Sequence, residues 1–193
     1  MSWTGDARRD IAEVMRLMYN RGLVQVRGGN ASIVDRERSI VYMSPTGVPR
    51  NLLEPGDVAL VSLDGRILEG RPTSEWRMHL AVYHAAPEAR AVVHAHPRSL
   101  LALTHLGLTL DPGLMSEAGI QARCVARVPW ITPGTRELAE TVGNTISSQR
   151  CNVVILERHG ALVWSDKTIY HALDLLEAVE DLAWIQLQLE AKR

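Results

Sequence analysis

The sequence predicts a layered α/β domain around a mixed, mostly antiparallel sheet. Strand-like apolar runs, several of them joined by turn residues, alternate along the chain with stretches of helical periodicity. The chain is 193 residues long, which suits one domain with a sizeable core, and no linker or repeat divides it. We therefore expect residues 1–193 to form a single domain.

The first half of the chain is expected to contain two helices and four strands. Apolar residues at helical spacing predict a helix over residues 6–21. Four strand-like runs follow, separated by turn residues such as Asp64-Gly65. They are Ala31–Val34, Ile40–Met43, Val58–Val61 and Arg66–Leu68. A second helix is predicted to open at Pro72-Thr73-Ser74-Glu75 and to end near Ala86.

The second half is expected to alternate buried strands with helices. The predicted strands are Ala91–His94, Val125–Val128 and Val153–Glu157. Helices are predicted over residues 98–106, over residues 135–148 with Thr135 as the cap, and from Lys167 or Thr168 to about Glu190.

Composition and charge exclude several classes of function. Lys plus Arg number 21 against 22 Asp plus Glu, which argues against nucleic acid or an anionic membrane as the main partner. No stretch approaches the roughly 18 apolar residues of a membrane span. The N-terminal segment carries acids throughout and does not resemble a signal peptide, so the expected location is the cytoplasm.

The cysteines and lysines limit the chemistry further. Cys124 and Cys151 are too few for a disulfide framework, and we predict two small buried thiols, with a single bridge as the alternative. The lysines, Lys167 and Lys192, stand in a polar turn and next to the last residue. Because imine chemistry needs a desolvated lysine inside a pocket, we do not expect it here.

One short segment carries the clearest chemical signal, because a buried strand ends in His94-Ala95-His96. Alternate residues of a strand project from one face, so the imidazoles of His94 and His96 can converge. His159 follows another apolar run and precedes Gly160, which places a third imidazole at a strand end. Three histidines with an open position are typical of catalytic zinc sites, whereas structural zinc sites use four closed ligands.

Two other classes of metal enzyme share the His-x-His pattern but do not fit this chain. Amidohydrolase barrels also begin from His-x-His but need a longer chain, and metallo-β-lactamase-type sites continue with an aspartate and a further histidine. The remaining histidines are interpreted as structural or surface residues; they are His79, His84, His105 and His171.

Three polar segments have two interpretations each. Glu75 is expected in the first turn of the second helix, where an acid complements the helix dipole and Thr73 or Ser74 caps. The same N–H groups and hydroxyls also form a cradle for phosphate, beside which Glu75 could carry a proton. The loops Arg27-Gly28-Gly29-Asn30 and Ser44-Pro45-Thr46-Gly47 are either ordinary turns or anion sites.

Together these segments resemble the class II aldolase/adducin head family, and most closely its sugar-phosphate aldolases. The matching segments occur in family order over nearly the whole chain: Gly29–Ser32, Ser44–Gly47, Thr73–His79, Ala91–His96, Pro133–Leu138 and His159-Gly160. The resemblance implies a three-layer α/β/α fold around the mixed sheet. It also implies a homotetramer with active sites between subunits.

The resemblance assigns roles to these residues. His94, His96 and His159 would hold one Zn²⁺ per subunit, with Glu75 as fourth ligand at rest and as acid/base during turnover. The substrate phosphate would lie among Gly29, Asn30, Thr46, Gly47, Thr73 and Ser74. The implied activity is reversible cleavage of a ketose 1-phosphate, such as L-fuculose 1-phosphate, to dihydroxyacetone phosphate and a small aldehyde through a metal-stabilised enediolate.

Other members of the family remain alternatives. Methylthioribulose-1-phosphate dehydratases, pentulose-phosphate 4-epimerases and decarboxylase-type relatives share the scaffold and the metal, and the adducin head is a non-catalytic interaction domain. All three histidines and the carboxylate of Glu75 are present here, which favours a catalytic member. The sequence departs from the family aldolase at Leu114, close to the place where that enzyme has a tyrosine.

Overall fold

The computed structural model describes residues 5–192, and the strands in this range form one eight-stranded sheet. The strands are β1 (Asn30–Asp35), β2 (Ile40–Met43), β3 (Ala59–Ser62), β4 (Ile67–Glu69), β5 (Ala91–Ala95), β6 (Val125–Val128), β7 (Val153–Leu156) and β8 (Gly160–Ser165). Their order across the sheet is β4-β3-β2-β1-β5-β8-β7-β6. Neighbouring strands are antiparallel except for β6 and β7, so the sheet is mixed and mostly antiparallel, as predicted.

Helices cover both faces of the sheet. Over residues 5–192 the α-helices are α1 (Ala7–Asn20), α2 (Trp76–Ala85), α3 (Arg98–His105), α4 (Ser116–Gln121), α5 (Arg136–Gln149) and α6 (Ile169–Glu190). Short 3₁₀ segments lie at Arg50–Leu52, Pro55–Asp57 and Pro112–Leu114. The buried side chains of α1, α3 and α6 share one core with the sheet, and those of α2 and α5 share the other. The fold is therefore three-layered, α/β/α.

The central strand β5 contributes to both cores because its side chains alternate between faces. Val93 packs with α1, α3 and α6, whereas Val92 packs with α2 and α5. The predicted cap of α5 is confirmed, since Thr135 Oγ1 accepts a hydrogen bond from the Leu138 N–H at 3.2 Å. No helix within residues 5–192 has both the length and the hydropathy to cross a membrane.

The second helix begins later than predicted, at Trp76 rather than at Pro72. Residues 72–73 are extended because a β-bridge and a 3.0 Å hydrogen bond from the Thr73 N–H to the Ser44 carbonyl tie them to the segment after β2. Glu75 is consequently the N-cap residue of α2 instead of a first-turn residue, and no side chain caps the helix. The predicted capping role of Thr73 or Ser74 is therefore wrong.

The strand β8 and the short helix α4 are not indicated by the sequence pattern. All six residues of β8 are buried, so the strand has no alternation of polar and apolar side chains. The prediction of two buried thiols is wrong, and the alternative of a single bridge is confirmed, because Cys124 and Cys151 form a disulfide with Cα atoms 4.7 Å apart. Cys124 and Cys151 lie just before β6 and β7, and the parallel pairing of these strands brings the two cysteines side by side.

Candidate active site

Three imidazoles meet at one end of the central strands. His94 lies in β5 and His96 directly follows it, while His159 stands in the tight turn between β7 and β8. The potential ligand atoms of the three side chains all lie within 4.8 Å of one another. The predicted convergence of these histidines is confirmed.

Close packing of two strands brings the third histidine to the other two. The antiparallel register of β5 and β8 sets Ala95 opposite Ala161, so the turn that carries His159 lies beside His96. A Cβ atom on Gly160 would lie only 2.0 Å from the carbonyl oxygen of Ala95. Only glycine allows this approach, which explains why Gly160 follows His159.

Hydrogen bonds on the outer side orient two of the rings. His94 Nδ1 donates to the carbonyl oxygen of Ala161 at 2.9 Å, and His96 Nδ1 donates to Gln25 Oε1 at 2.8 Å. Both rings therefore keep an unprotonated Nε2, the form in which imidazole binds a metal. The sequence contains no motif that identifies Gln25 as a partner of the site.

The electrostatics of the three rings favour a bound cation. Burial is the main cause that lowers the pKa of each imidazole, to about 4 for His159, and a neighbouring ring lowers it further for His94 and His159. Neutral rings at pH 7 are ready ligands. His94 Nε2 and His159 Nδ1 are buried and have no hydrogen-bond partner within residues 5–192. A divalent cation would provide both nitrogens with a partner, so the three side chains fit a metal held by histidines.

Glu75 lies at the start of α2 and is 5 % exposed. Burial raises the pKa of its carboxyl group, while a hydrogen bond from the Gly134 backbone opposes that increase. Its Oε2 atom is buried without a hydrogen-bond partner in the described chain. Glu75 does not belong to the group formed by the three histidines, so its role as fourth metal ligand stays a prediction.

The predicted anion segments lie at the same end of the sheet as the histidines. Asn30 pairs with His94 across β1 and β5. Gly29 has φ +62°, and a Cβ atom there would lie 2.8 Å from the carbonyl oxygen of His94. Backbone hydrogen bonds join the segment that contains Thr46 and Gly47 to the segment that contains Thr73 and Ser74. The first of these segments is also hydrogen-bonded to β1.

A buried network behind the anion segments was not expected from the sequence. His79 Nε2 donates to Asn30 Oδ1 at 2.5 Å, and its Nδ1 accepts from Ser32 Oγ at 2.7 Å. Ser32 Oγ in turn contacts Tyr83 Oη at 2.7 Å. The amide oxygen of Asn30 is therefore occupied, and its NH₂ group is left as a donor. His79 is structural, as predicted, but it also orients a candidate phosphate ligand.

The other histidines lie away from this cluster. His84 and His105 are exposed, and His171 contacts Ser165 and Lys167 at the start of α6. Leu114, which the resemblance places close to a tyrosine of the family aldolase, is 37% exposed in the 3₁₀ segment Pro112–Leu114.

Comparison with known proteins gives consistent matches along most of the chain. The family model described as Class II Aldolase and Adducin N-terminal domain matches residues 9–187. L-fuculose phosphate aldolase of Methanococcus maripaludis is 34% identical over 174 residues, which cover 90% of this chain and 92% of that protein. 5-deoxy-D-ribulose 1-phosphate aldolase of Bacillus thuringiensis is 34% identical over 185 residues, covering 94% and 84% respectively. Among solved structures, an L-fuculose 1-phosphate aldolase superposes with a TM-score of 0.86 at 27% identity, covering 97% of this chain and 87% of that one.

Proposed function

We propose that this chain, which belongs to the class II aldolase and adducin N-terminal domain family, is a zinc-dependent aldolase that reversibly cleaves a ketose 1-phosphate into dihydroxyacetone phosphate and a small aldehyde. Its named relatives are aldolases, and as a sugar-phosphate aldolase the chain is a lyase. The observation that carries the proposal is the meeting of His94, His96 and His159, with two buried ring nitrogens that have no partner in the described residues.

The three imidazoles are the groups that would hold the metal. A divalent cation bound to them would polarise the substrate carbonyl as a Lewis acid and balance the negative charge that develops as the C3–C4 bond breaks. We propose zinc because it suits three histidine ligands with an open position. His94 and His96 keep their orientation through Ala161 and Gln25, so the ligand atoms are in place before substrate arrives.

Glu75 is proposed to move the proton. As the C3–C4 bond breaks, the C4 hydroxyl gives its proton to solvent and becomes the aldehyde, and the electron pair of the broken bond stays on C3. Glu75, protonated at this stage, then delivers its proton to C3 and is left as a carboxylate. In the direction of synthesis the same carboxylate removes the proton. Burial raises the pKa of Glu75, which suits a group that must hold a proton in one half of the cycle and release it in the other.

The substrate phosphate is proposed to lie among Gly29, Asn30, Thr46, Gly47, Thr73 and Ser74. The NH₂ group of Asn30, left as a donor by the contact with His79, supports this location. Phosphate binding would hold the ketose so that its carbonyl faces the histidines and its C3 faces Glu75. Glu75 is also proposed as the fourth metal ligand in the resting enzyme.

Two substrates are favoured by the names of relatives. One group of relatives carries the name L-fuculose phosphate aldolase, and another relative is named for 5-deoxy-D-ribulose 1-phosphate. Both are ketose phosphates that would give dihydroxyacetone phosphate and a short aldehyde. An epimerase would instead return an epimeric pentulose phosphate, and a dehydratase would release water.

We also propose that the enzyme is a cytoplasmic homotetramer with active sites between subunits. Large apolar side chains at the surface support an assembly, since Ile120 and Trp184 are 83% and 56% exposed. Sedimentation equilibrium of the purified protein tests the number of subunits.

The proposed reaction is tested by a coupled assay for dihydroxyacetone phosphate on a panel of ketose 1-phosphates. We expect release from at least one of the two favoured substrates, its loss after treatment with a chelator, and its return with added zinc. Cleavage that continues unchanged in the chelator would refute the metal mechanism. An epimeric ketose or a dehydrated product, without free aldehyde, would replace the aldolase with one of its relatives.

A further inference from the structure

A buried guanidinium lies behind the two glycine-containing loops of the site. Arg50, in the 3₁₀ segment Arg50–Leu52, is 2% exposed. No carboxylate in residues 5–192 forms an ion pair with it. An arginine this deeply buried is usually paired with an acid. Its position without one therefore needs an explanation.

Backbone carbonyls occupy the whole guanidinium. The contacts are Nε to Gly28 at 2.9 Å, Nη1 to Pro45 at 2.9 Å and to Val48 at 3.4 Å, and Nη2 to Gly29 at 2.9 Å and to Arg27 at 3.3 Å. These five contacts match the five N–H donors that the group possesses. Arg50 therefore has no donor left for a substrate.

These contacts join two segments that are separate in the sequence. One is the loop 27–30 and the other is the loop 44–48, and each carries candidate phosphate ligands. Because the N–H of a trans peptide points opposite to its carbonyl, the Gly28 carbonyl that faces Arg50 turns the N–H of Gly29 away from the guanidinium. Arg50 thereby fixes the direction of backbone dipoles in the loop.

Hydrogen bonds to neutral carbonyls leave the charge of Arg50 without a counter-ion. Desolvation lowers the pKa of Arg50 to about 10, so the side chain stays protonated at pH 7. A buried charge that no acid balances is costly. Its attraction for an anion is also stronger than in water, because the protein interior screens it less. A phosphate dianion at the loops would supply the missing negative charge.

We propose that Arg50 is a positioning residue for the substrate phosphate. Arg50 fixes the two loops, and its positive charge attracts the phosphate although the two groups do not touch. This inference rests on the proposed function, because it takes the phosphate pocket as given. It adds a residue that lies outside the segments to which the sequence assigns phosphate binding.

The test measures binding of inorganic phosphate to the zinc-loaded enzyme by isothermal titration calorimetry. Arg50→Lys keeps the charge but loses the planar set of five donors, and Arg50→Gln loses the charge as well. We expect the Kd for phosphate to rise roughly tenfold in Arg50→Lys and up to roughly 100-fold in Arg50→Gln. KM for the ketose phosphate should rise in parallel, with kcat and zinc content close to those of the wild type.

Arg36 offers a matched control at the other end of β1. It donates to the backbone carbonyls of Tyr83, Ala86 and Ala89, at 3.1, 3.3 and 3.1 Å, so Arg36→Lys also disrupts a clamp on carbonyls. We expect this variant to lower the melting temperature and to leave the Kd for phosphate unchanged. An equal loss of phosphate affinity in Arg36→Lys would overturn the proposal, because general loosening would then explain the effect.

The remaining results distinguish a failure of the proposed phosphate pocket from a failure of the proposed role of Arg50. If the wild-type enzyme does not bind phosphate, the phosphate pocket of the proposed function is wrong and the role of Arg50 falls with it. If the wild type binds phosphate and both Arg50 variants bind it equally well, only the role of Arg50 is wrong. Failure of both Arg50 variants to fold, while Arg36→Lys folds, would assign Arg50 a purely structural role.

Discussion

The candidate metal edge and the candidate anion loops meet where Asn30 of β1 pairs with His94 of β5, but they differ in construction. The candidate metal edge consists of His94, His96 and His159, whose side chains would bind the metal themselves. The anion loops, residues 27–30 and 44–47, offer backbone N–H groups and short side chains held from behind by buried residues. The metal edge thus depends on residue type, and the anion loops depend on conformation.

This difference in construction determines how the metal edge and the anion loops respond to amino-acid substitutions. A ligand of the metal edge has no substitute, since the imidazole both reaches the point of convergence and supplies the lone pair. An anion loop spreads its contribution over several modest hydrogen bonds, so one loss weakens it without abolishing it. Substitutions in the two halves should therefore produce effects of different size and kind.

The largest effect is expected at the metal edge. His159→Ala removes one of three ligands, so we expect the purified protein to lose its zinc and the cleavage rate to fall to background. Metal analysis and the coupled assay measure both. The exposed His84 gives a control, because His84→Ala should keep zinc and activity. A His159→Ala protein with full zinc content would remove His159 from the ligand set.

The next largest effect is expected at Glu75, the proposed acid/base. Glu75→Gln preserves shape but cannot exchange a proton, and kcat should fall by roughly 10²- to 10⁴-fold. Phosphate affinity should stay unchanged, as calorimetry can determine. Glu54, the N-cap of the segment Pro55–Asp57, provides a matched substitution, and Glu54→Gln should be silent. Near-normal turnover by Glu75→Gln would contradict its assignment as the acid/base.

Loss of a residue that orients a proposed ligand is expected to weaken zinc binding less than loss of the ligand itself. Gln25→Leu removes the acceptor that orients His96, and zinc affinity should weaken by roughly 10- to 100-fold. Competition with a chromogenic chelator measures the change. Phosphate affinity should be retained, and Gln188→Leu on the exposed side of α6 serves as control. Unchanged zinc affinity would show that the His96 ring holds its place without Gln25.

A single donor of the anion loops should have a smaller effect. Thr46→Val replaces a hydroxyl by a methyl group at nearly constant volume, and KM for the ketose phosphate should rise about tenfold while kcat and zinc content are preserved. Steady-state kinetics with the favoured substrate check this split. A fall in kcat at constant KM would place Thr46 with the reacting atoms instead of the phosphate.

The last prediction concerns the pH dependence of stability, which lies outside the order of effects on binding and turnover. Burial lowers the pKa of His79 to about 3, so below pH 6.5 the unfolded chain binds a proton at this residue that the folded chain does not bind. The free energy of unfolding should therefore decrease as the pH falls, and His79→Gln should remove about 2 kcal/mol of the difference between pH 7 and pH 5. Urea titrations in the presence of a chelator measure both proteins. An identical pH dependence would show that His79 is not buried as a neutral ring.

The sequence was most informative where residue types are chemically distinctive. His94, His96 and His159 could be identified because few roles other than metal binding suit a buried His-x-His pair at a strand end. Helix periodicity and the Asp64-Gly65 turn similarly located most elements. The start of α2 and the strand β8 could not be placed. The start of α2 depends on pairing with the segment after β2, and β8 is buried on both faces, and both are properties of the folded chain.

The supporting residues were beyond the reach of sequence patterns for a related reason. Arg50, Gln25 and Tyr83 act through neighbours that are distant in the chain, so no local spacing reveals them. Cys124 and Cys151 lie 27 residues apart and become adjacent only when β6 pairs with β7. The contacts of these residues therefore depend on the folded chain, in which residues that are distant in the sequence become neighbours.

The pairing of β5 with β1 on one side and β8 on the other has a consequence for misfolding. His94 faces the site only in the register that sets it opposite Asn30 and Leu162. A slip of β5 by one position would exchange its two faces, presenting Val93 and Ala95 where imidazoles belong. Such a chain would keep its sheet and most of its compactness, yet it would lose the convergence of the three imidazoles. If the proposed zinc binds there, zinc content will report the alignment of these strands more directly than secondary-structure content does.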